Sequence, residues 1–531
     1  MKRNYIYTVL LFALFLLLTI PRLWDVMGQD EASHYYKLVR MLYEGGWSSK
    51  DLITFSPHGY PLCALLVCKI LHSASVLSVR MCGLLLWLTT LAIIAWRDRS
   101  NIAPLMLVCF PAVCQSVAVV EIDQTFLPLT ILLQVIAFKR LRNSAKYMPI
   151  AAAAFALALW GRLTTPVIIC APLLLAALCT SKRCALRTAL SMLLGVLLFL
   201  FSWWLYCRLT GVDFSGPFFY LKASFMETTV GDRSGSLGKY AQNLIYLCLW
   251  GFNPFLALLF LLDGVRRLKR FRRERSISDG DTLWFCAATI LLGYTVVGGS
   301  LFGFPKYQIP ALPLVALCLA EALSSFKWDK VLDGFAVVSF LLFLACGDAL
   351  FFLRMTLREH LACGSDIVYL TPILLMLTFA ALLVFTFYER KTPLAWKLLA
   401  LALGCNLAWS IRQSASNYST GYIYGDRGEC RRIAEVMLNN GWTNRRQLVH
   451  VEIAQQLSMY DNMAYHPNDA STPEEFANLI RTEKPDIVTL SYAVMPIPQF
   501  LSFHCSKELD DALQGYISHR DGHIFYWTRE P

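Results

Sequence analysis

The residues best suited to chemistry are charged groups held where a hydrophobic chain has little reason to keep them. Asp30 and Glu31 follow directly on the first apolar segment, about Tyr5 to Leu23, and lead into Tyr35-Tyr36 and then Ser56-Pro57-His58-Gly59-Tyr60-Pro61. A second acidic locus, Val119-Val120-Glu121-Ile122-Asp123-Gln124, lies between two apolar stretches with almost no loop. An acid at a helix mouth loses hydration unless it is solvated or paired, so such positions default to a functional reading. An N-cap on the following helix is the structural alternative for Asp123, and the two roles are compatible.

Two cations complement these acids. Arg162 is the only charge in Trp160-Gly161-Arg162-Leu163-Thr164-Thr165-Pro166, and Lys306 stands in Phe304-Pro305-Lys306-Tyr307-Gln308-Ile309-Pro310-Ala311-Leu312-Pro313. Basic side chains at a membrane surface can simply snorkel to headgroups. Gathered with acids around one cavity, they are what a phosphate leaving group needs, because a fixed guanidinium or ammonium stabilises negative charge as it develops. A second chemistry stays open at the first locus. Asp30, Glu31, His34 and His58 are ligand types for a divalent metal, and the Asp30/His34 spacing suits one helix face.

The elements that position these groups are membrane helices. Of 531 residues, 56% are hydrophobic and only 16% are charged, which excludes a soluble globular chain of this length. Apolar runs of about 16 to 22 residues match the ~20 that span ~30 Å of hydrocarbon, and helices satisfy their own backbone in lipid. Lys2-Arg3 and the following apolar run look like a signal peptide, but no small-residue cleavage site follows, so a retained first helix is expected. Most of the 17 cysteines lie within apolar runs, where they act as small hydrophobes. Cys430 and Cys505 lie in the polar tail, where spacing leaves a disulfide open.

The net charge of +11 is spread in short basic clusters between apolar runs: Lys2-Arg3, Arg97/Arg99, Lys139 to Lys146, Lys182 to Arg187, Arg266 to Arg275, Lys327/Lys330 and Arg390-Lys391. That distribution is a positive-inside pattern rather than a nucleic-acid surface, and it assigns the clusters to the cytoplasm. The densest, Arg266 to Arg273, has topology anchor as its first reading and a nucleic-acid patch or anionic-lipid site as alternatives.

Keeping every cluster inside requires residues 59 to 72 not to cross. At about 14 residues they are also too short, and a re-entrant or interfacial helix is expected there. The first outer loop then runs from 24 to 76. Spans are expected at about 77 to 96, 102 to 119, 124 to 139, 147 to 161, 165 to 180, 188 to 208, 241 to 262, 283 to 302, 307 to 324, 331 to 352, 367 to 388 and 393 to 411. With the first, these make about thirteen helices, in a multi-pass domain over 1-411. Asp30, Glu31, His58, Glu121, Asp123, Arg162 and Lys306 then share the outer face.

From 412 to 531 the chain turns polar, and a small extracytoplasmic α/β domain is expected. Strands are predicted at Gln447 to Ile453, Asp486 to Tyr492 and His523 to Trp527, and helices at Glu429 to Leu438 and Pro473 to Arg481. Ser471-Thr472-Pro473-Glu474-Glu475 supplies an N-cap and first-turn acids for the last of these. No glycine-rich nucleotide motif occurs, and Asp279-Gly280-Asp281, beside the basic loop, reads as a solvated helix start.

Taken in order, these motifs resemble the GT-C glycosyltransferases, in particular the bacterial branch similar to protein O-mannosyltransferases and lipid A aminoarabinose transferase. The matching residues are Asp30-Glu31, His58-Gly59-Tyr60-Pro61, Asp123, Arg162 and Lys306-Tyr307 with Pro310 and Pro313. The resemblance covers nearly all of the membrane part and rests on order and sidedness rather than on any one motif. The chain departs from the pattern at Arg162, followed by Thr164-Thr165-Pro166 where Lys-Gly-Pro is usual, and near His58, where the common Pro-Pro pair is broken.

The resemblance implies an enzyme of the inner membrane that takes a sugar from a polyprenyl-phosphate donor in the bilayer to a glycan, lipid or protein acceptor, with no nucleic acid involved. It implies Asp30 as general base, and Asp123 and Glu31 as residues that orient the acceptor or the cations. Lys306, Arg162 and His58 would stabilise the phosphate, with Tyr60 and Tyr307 in the same binding segments. No resident cofactor is implied, the divalent metal above remaining open. A transporter of lipid-linked sugars is the rival from another class. It would place its charges mid-bilayer on broken helices and commonly show matching halves, which this chain lacks. A polysaccharide polymerase or ligase is the neighbouring enzymatic alternative.

Overall fold

The computed structural model describes residues 5–24, 31–45, 56–98, 100–229, 252–298, 305–324, 334–344, 378, 381, 392–415, 436–437, 439–442, 445–450, 466–468, 470, 472–491, 497–522 and 524–529. Six helices among them are long and apolar enough to cross a membrane: Tyr5–Trp24, Val76–Arg97, Ile122–Asn143, Lys182–Thr210, Lys306–Leu323 and Pro393–Ile411. They make the chain an integral membrane protein. One continuous apolar core joins them, with Trp87, Phe110, Phe155, Phe199, Trp203 and Phe255 among its largest buried side chains.

Several expected spans fall on helices with shifted ends. Residues 147 to 161 and 188 to 208 fall on Met148–Gly161 and Lys182–Thr210, which pack side by side. Residues 165 to 180 form two pieces, Thr164–Ile168 and Cys170–Thr180, and 307 to 324 begin as a 3-10 turn over Pro305–Ala311 before Leu312–Leu323. The span expected at 283 to 302 falls on Asp279–Gly298, and Gly334–Leu344 lies within 331 to 352. The span expected at 367 to 388 lies outside the described residues apart from Thr378 and Ala381.

The segment 59 to 72 forms a helix, Gly59–Ile70, packed between Lys37–Glu44 and Val76–Arg97. Twelve residues rise only ~18 Å, well short of the hydrocarbon thickness.

A further expected span is broken. Residues 102 to 119 form Ile102–Val108 and Pro111–Ser116, followed by non-helical chain as far as Glu121, so this stretch is not a single span. Pro111 takes the first helical position, where its missing N–H costs nothing, and starts a new helix. The irregular backbone survives because protein buries it: Phe110 to Leu132 is buried throughout. The stretch also passes against Gly83 of the Val76–Arg97 helix, where a Cβ would stand 2.5 Å from the Val117 carbonyl oxygen.

Of the span expected at 241 to 262, residues 241 to 251 lie outside the described residues, and the described part begins a helix at Asn253. The Asn253 side chain accepts from the Leu256 N–H at 2.9 Å and Pro254 follows, so a helix starts there and runs through the basic cluster to Glu274.

The C-terminal part holds a five-stranded sheet of β1 (Gln447–His450), β2 (His466–Asn468), β3 (Ile487–Ser491), β4 (Tyr516–Asp521) and β5 (Ile524–Arg529), in the order β2-β1-β3-β5-β4. β1 runs parallel to β2 and β3, and β5 runs antiparallel to β3 and β4. Thr472 and Glu475 form a capping box on Pro473–Glu483, whose Phe476 and Ile480 are buried with Leu448, Val488, Leu490 and Phe503. β2 and β4 were not anticipated. One is a three-residue edge strand containing Pro467, the other a largely exposed polar edge, and neither carries an apolar alternation. Of the predicted Glu429 to Leu438 helix only Val436 and Met437 are described, and Cys430 lies outside the described residues.

Candidate active site

The charged residues meet where three chain breaks converge. Residues 122–126 form a wider π turn that re-aims the start of the Leu127–Asn143 helix, and this turn carries Asp123. Glu121 precedes it in extended conformation. Arg162 caps the end of the Met148–Gly161 helix, and Lys306 and Tyr307 sit on the Pro305–Ala311 turn. Helix ends leave backbone polar groups free and let side chains project along the axis, so three of them together suit a polar pocket in an apolar body.

Two ion pairs fill it. Arg162 Nη1 donates to Asp123 Oδ2, and Lys306 Nζ donates to Glu121 Oε1 at 2.7 Å. Glu121 and Asp123 are each 1% exposed and Lys306 3%. Gln124 Nε2 donates to the other Glu121 oxygen at 2.6 Å, and the Trp87 indole holds the Gln124 carbonyl at 2.9 Å. Asp123 Oδ1 is buried and has no hydrogen-bond partner among the described residues.

The Arg162 guanidinium lies over the Tyr307 ring, 4.3 Å from its centroid, and its Nε donates to Thr164 Oγ1 at 3.2 Å. Tyr307 stacks on Tyr294 with centroids 5.5 Å apart, and the Tyr294 hydroxyl hydrogen-bonds with Thr164 and Thr165 at 2.7 and 2.6 Å. The cation is therefore held by charge, by a ring face and by a hydroxyl relay.

Glu121, Asp123, Arg162, Thr164, Lys306 and Tyr307 line a cavity of about 210 Å³ together with His34, Tyr35, Ser56, Pro57, Pro217, Tyr220 and Leu221. Tyr35 projects from the segment that begins at Glu31. Burial, with Glu121 and Asp123 adding to it, holds its phenol well above the ordinary tyrosine value, so it remains a hydrogen-bond donor at neutral pH.

No family model matches the chain. No curated protein matches it in sequence. Solved structures do match: ArnT from Cupriavidus metallidurans bound to undecaprenyl phosphate superposes with a TM-score of 0.60 at 14% identity, covering 99% of both chains. The chain has the GT-C fold. The apo form of the same ArnT gives 0.59 at 15% identity, again over 99% of both chains. The archaeal oligosaccharyltransferase AglB from Archaeoglobus fulgidus, in complex with an inhibitory peptide and a dolichol-phosphate, gives 0.45 at 12% identity over 98% of this chain and 74% of its own.

Within this GT-C fold the residues singled out in the sequence divide into groups. Asp123, Arg162, Lys306 and Tyr307 come together in the cavity. Asp30 lies outside the described residues, as does the side chain of Glu31. His58 and Tyr60 are not among the lining residues. His58 Nδ1 meets the Tyr206 hydroxyl at 2.8 Å, and its ring packs edge-on to Trp203 and Tyr206. The Tyr60 ring packs edge-on to Tyr35 at 6.5 Å, which sets it behind the cavity wall. Among the described residues no three His, Cys, Asp or Glu side chains converge as metal ligands.

Tyr294 and Gln124 were missed by sequence reasoning. Tyr294 sits in an apolar run whose local pattern carries no sign of a partner, whereas Gln124, Glu121 and Tyr35 stood in or beside the acidic motifs and could have been assigned.

Asp281 departs from the solvated helix start expected of it. It is buried, accepting from Arg267 at 3.1 Å, from Arg270 and from Ser278.

Proposed function

We propose that this chain is an inverting glycosyltransferase that moves a sugar from a polyprenyl-phosphate donor to an acceptor hydroxyl or phosphate on the extracytoplasmic side of the inner membrane. The observation that carries the reading is the pair of cations, the part-buried Arg162 and the buried Lys306, meeting two buried carboxylates in one cavity at the helix ends of a GT-C fold. The ArnT structure with undecaprenyl phosphate supports the same donor class. The basic clusters on the opposite loops support an outward-facing cavity.

In this reading the isoprenoid stays in the bilayer and the anomeric carbon enters the cavity. The acceptor oxygen forms a bond to that carbon as the bond to the phosphate oxygen breaks, and a single displacement inverts the centre. Lys306 and Arg162 stabilise the charge that collects on the departing polyprenyl phosphate. Held in advance in a dry site, such donors need no reorganisation during the reaction. Asp30 takes the acceptor proton, a contribution of roughly 10²- to 10⁴-fold. Asp123 Oδ1, buried without a partner among the described residues, is left to receive an acceptor hydroxyl, while Oδ2 keeps Arg162 in place.

The test is transfer by purified protein in liposomes supplied with undecaprenyl-phosphate sugars and a membrane extract as acceptor source, with mass spectrometry of freed undecaprenyl phosphate and glycosylated product. Wild type should release the lipid phosphate and form product, and Asp30→Asn should lose both while still binding donor. Movement of intact lipid-linked sugar across the bilayer without release would replace this reading with that of a transporter.

A further inference from the structure

The Pro254–Glu274 helix has an unusual lengthwise division. Its inner face, including Leu256, Phe260, Asp263, Gly264 and Arg267, is buried against the protein. On the outer face Leu261, Val265 and Leu268 are 56%, 49% and 43% exposed. At 100° per residue these three fall within about 60° of one another, and the same stripe continues into Arg272, with Arg275 at the C-terminal cap just beyond. Arg266, Lys269 and Arg273 flank it on one side, and all five cations are exposed.

The charges divide in the same way. Arg267 is buried and meets Asp263 at 2.6 Å, Asp281 at 3.1 Å and Glu321 at 3.0 Å. Arg270 joins Asp281, and Arg273 meets Glu274 at 2.6 Å. The fold thus uses Arg267 and Arg270 internally, to tie this helix to the Asp279–Gly298 and Leu312–Leu323 helices. Among the described residues no carboxylate pairs with Arg266, Lys269, Arg272 or Arg275. An interhelical staple accounts for the first group; the second leaves four cations, unpaired with any carboxylate among the described residues, at the end of an exposed apolar stripe, a placement beyond what a topology anchor alone requires.

We propose that this helix end is a binding surface for anionic phospholipid headgroups of the adjoining leaflet. Leu261, Val265 and Leu268 lie against acyl chains. Arg272 and Arg275, about one and two turns further along the axis, reach the phosphate level, with Arg266 and Lys269 beside them. Apolar contact and charge then act on the same lipid, and phosphates complement the four cations that have no carboxylate partner among the described residues.

The full chain, purified and exchanged into nanodiscs of phosphatidylcholine alone or mixed with phosphatidylglycerol, provides the test. Native mass spectrometry after partial delipidation should show wild type keeping phosphatidylglycerol in preference to phosphatidylcholine. The quadruple variant Arg266→Gln, Lys269→Gln, Arg272→Gln, Arg275→Gln should lower that preference about fivefold or more. All four side chains are exposed, so its melting midpoint in phosphatidylcholine should match wild type. Equal retention of phosphatidylglycerol by variant and wild type would overturn the proposal. A measurement on wild type alone covers the case of a misfolded variant: the preference should shrink as salt is raised, and a salt-independent preference, or none, also overturns it.

Discussion

Arg162 donates to the buried Asp123 carboxylate while its guanidinium lies 4.3 Å from the centre of the Tyr307 ring, so one side chain is clamped between a charge and an aromatic face. Cation–π contacts contribute about 0.5 to 2 kcal/mol. Replacing Tyr307 by Leu is therefore expected to lower sugar transfer roughly 2- to 30-fold, whereas Tyr307→Phe keeps the ring and most of the rate. Initial rates on a common donor decide this, and equal losses in both variants would refute a role for the ring face.

Glu121 and Lys306 are buried together, with side chains 2% and 4% exposed. Removing one partner strands a charge, at a cost of roughly 3 to 5 kcal/mol. Glu121→Gln should lower the unfolding midpoint in detergent, and adding Lys306→Met should recover much of the loss. Activity should stay low in the double variant, because the cation itself is missing. A double variant as unstable as the single one would show that the pair is not the source of the effect.

Close backbone approach at Gly83 predicts a stability effect that spreads to the site. Its Cβ position is 2.5 Å from Val117 O, on the irregular stretch that leads to Glu121. Gly83→Ala is expected to cost about 1 to 3 kcal/mol by overpacking and to reduce transfer as Glu121 shifts. Gly293, where the nearest atom is 3.8 Å away, is the control and should accept alanine without loss. Thermal unfolding of the two variants side by side checks the contrast.

In the C-terminal part, His504 lies among Phe500, Phe525 and Trp527, with Nδ1 buried and lacking a hydrogen-bond partner among the described residues. Burial lowers its pKa below the ordinary 6.5. The unfolded chain then binds more protons than the folded one as pH falls through about 6.5, so the stability linked to this residue is full above that pH and declines below it. His504→Phe should flatten that decline. Hydrogen exchange across β5 of the full chain, from neutral to mildly acid pH, measures it, and an unchanged slope would rule His504 out.

Much of the site was legible in the linear chain. Asp123, Arg162 and Lys306 stood out as charges at the ends of apolar runs, and basic clusters assigned them to one side. A lone charge in an apolar context is conspicuous at any position, which is why hydropathy and sign revealed it. The capping residues Thr472 and Glu475 were equally plain, because a capping box is local to four residues.

The sequence by itself determined that the chain is a multi-pass helical protein and singled out acids and cations at the ends of its apolar runs, since those properties follow from composition and local period. Only the tertiary structure decided the partners: Lys306 takes Glu121 across 185 residues, and Arg162 takes Asp123 across 39. It also turned His58 towards Tyr206 and broke the stretch 102 to 119 into two helices. Hydropathy averages over neighbours along the chain. Burial by distant helices is what allows irregular backbone and paired charges to persist inside an apolar body, and that depends on packing, which no local window contains.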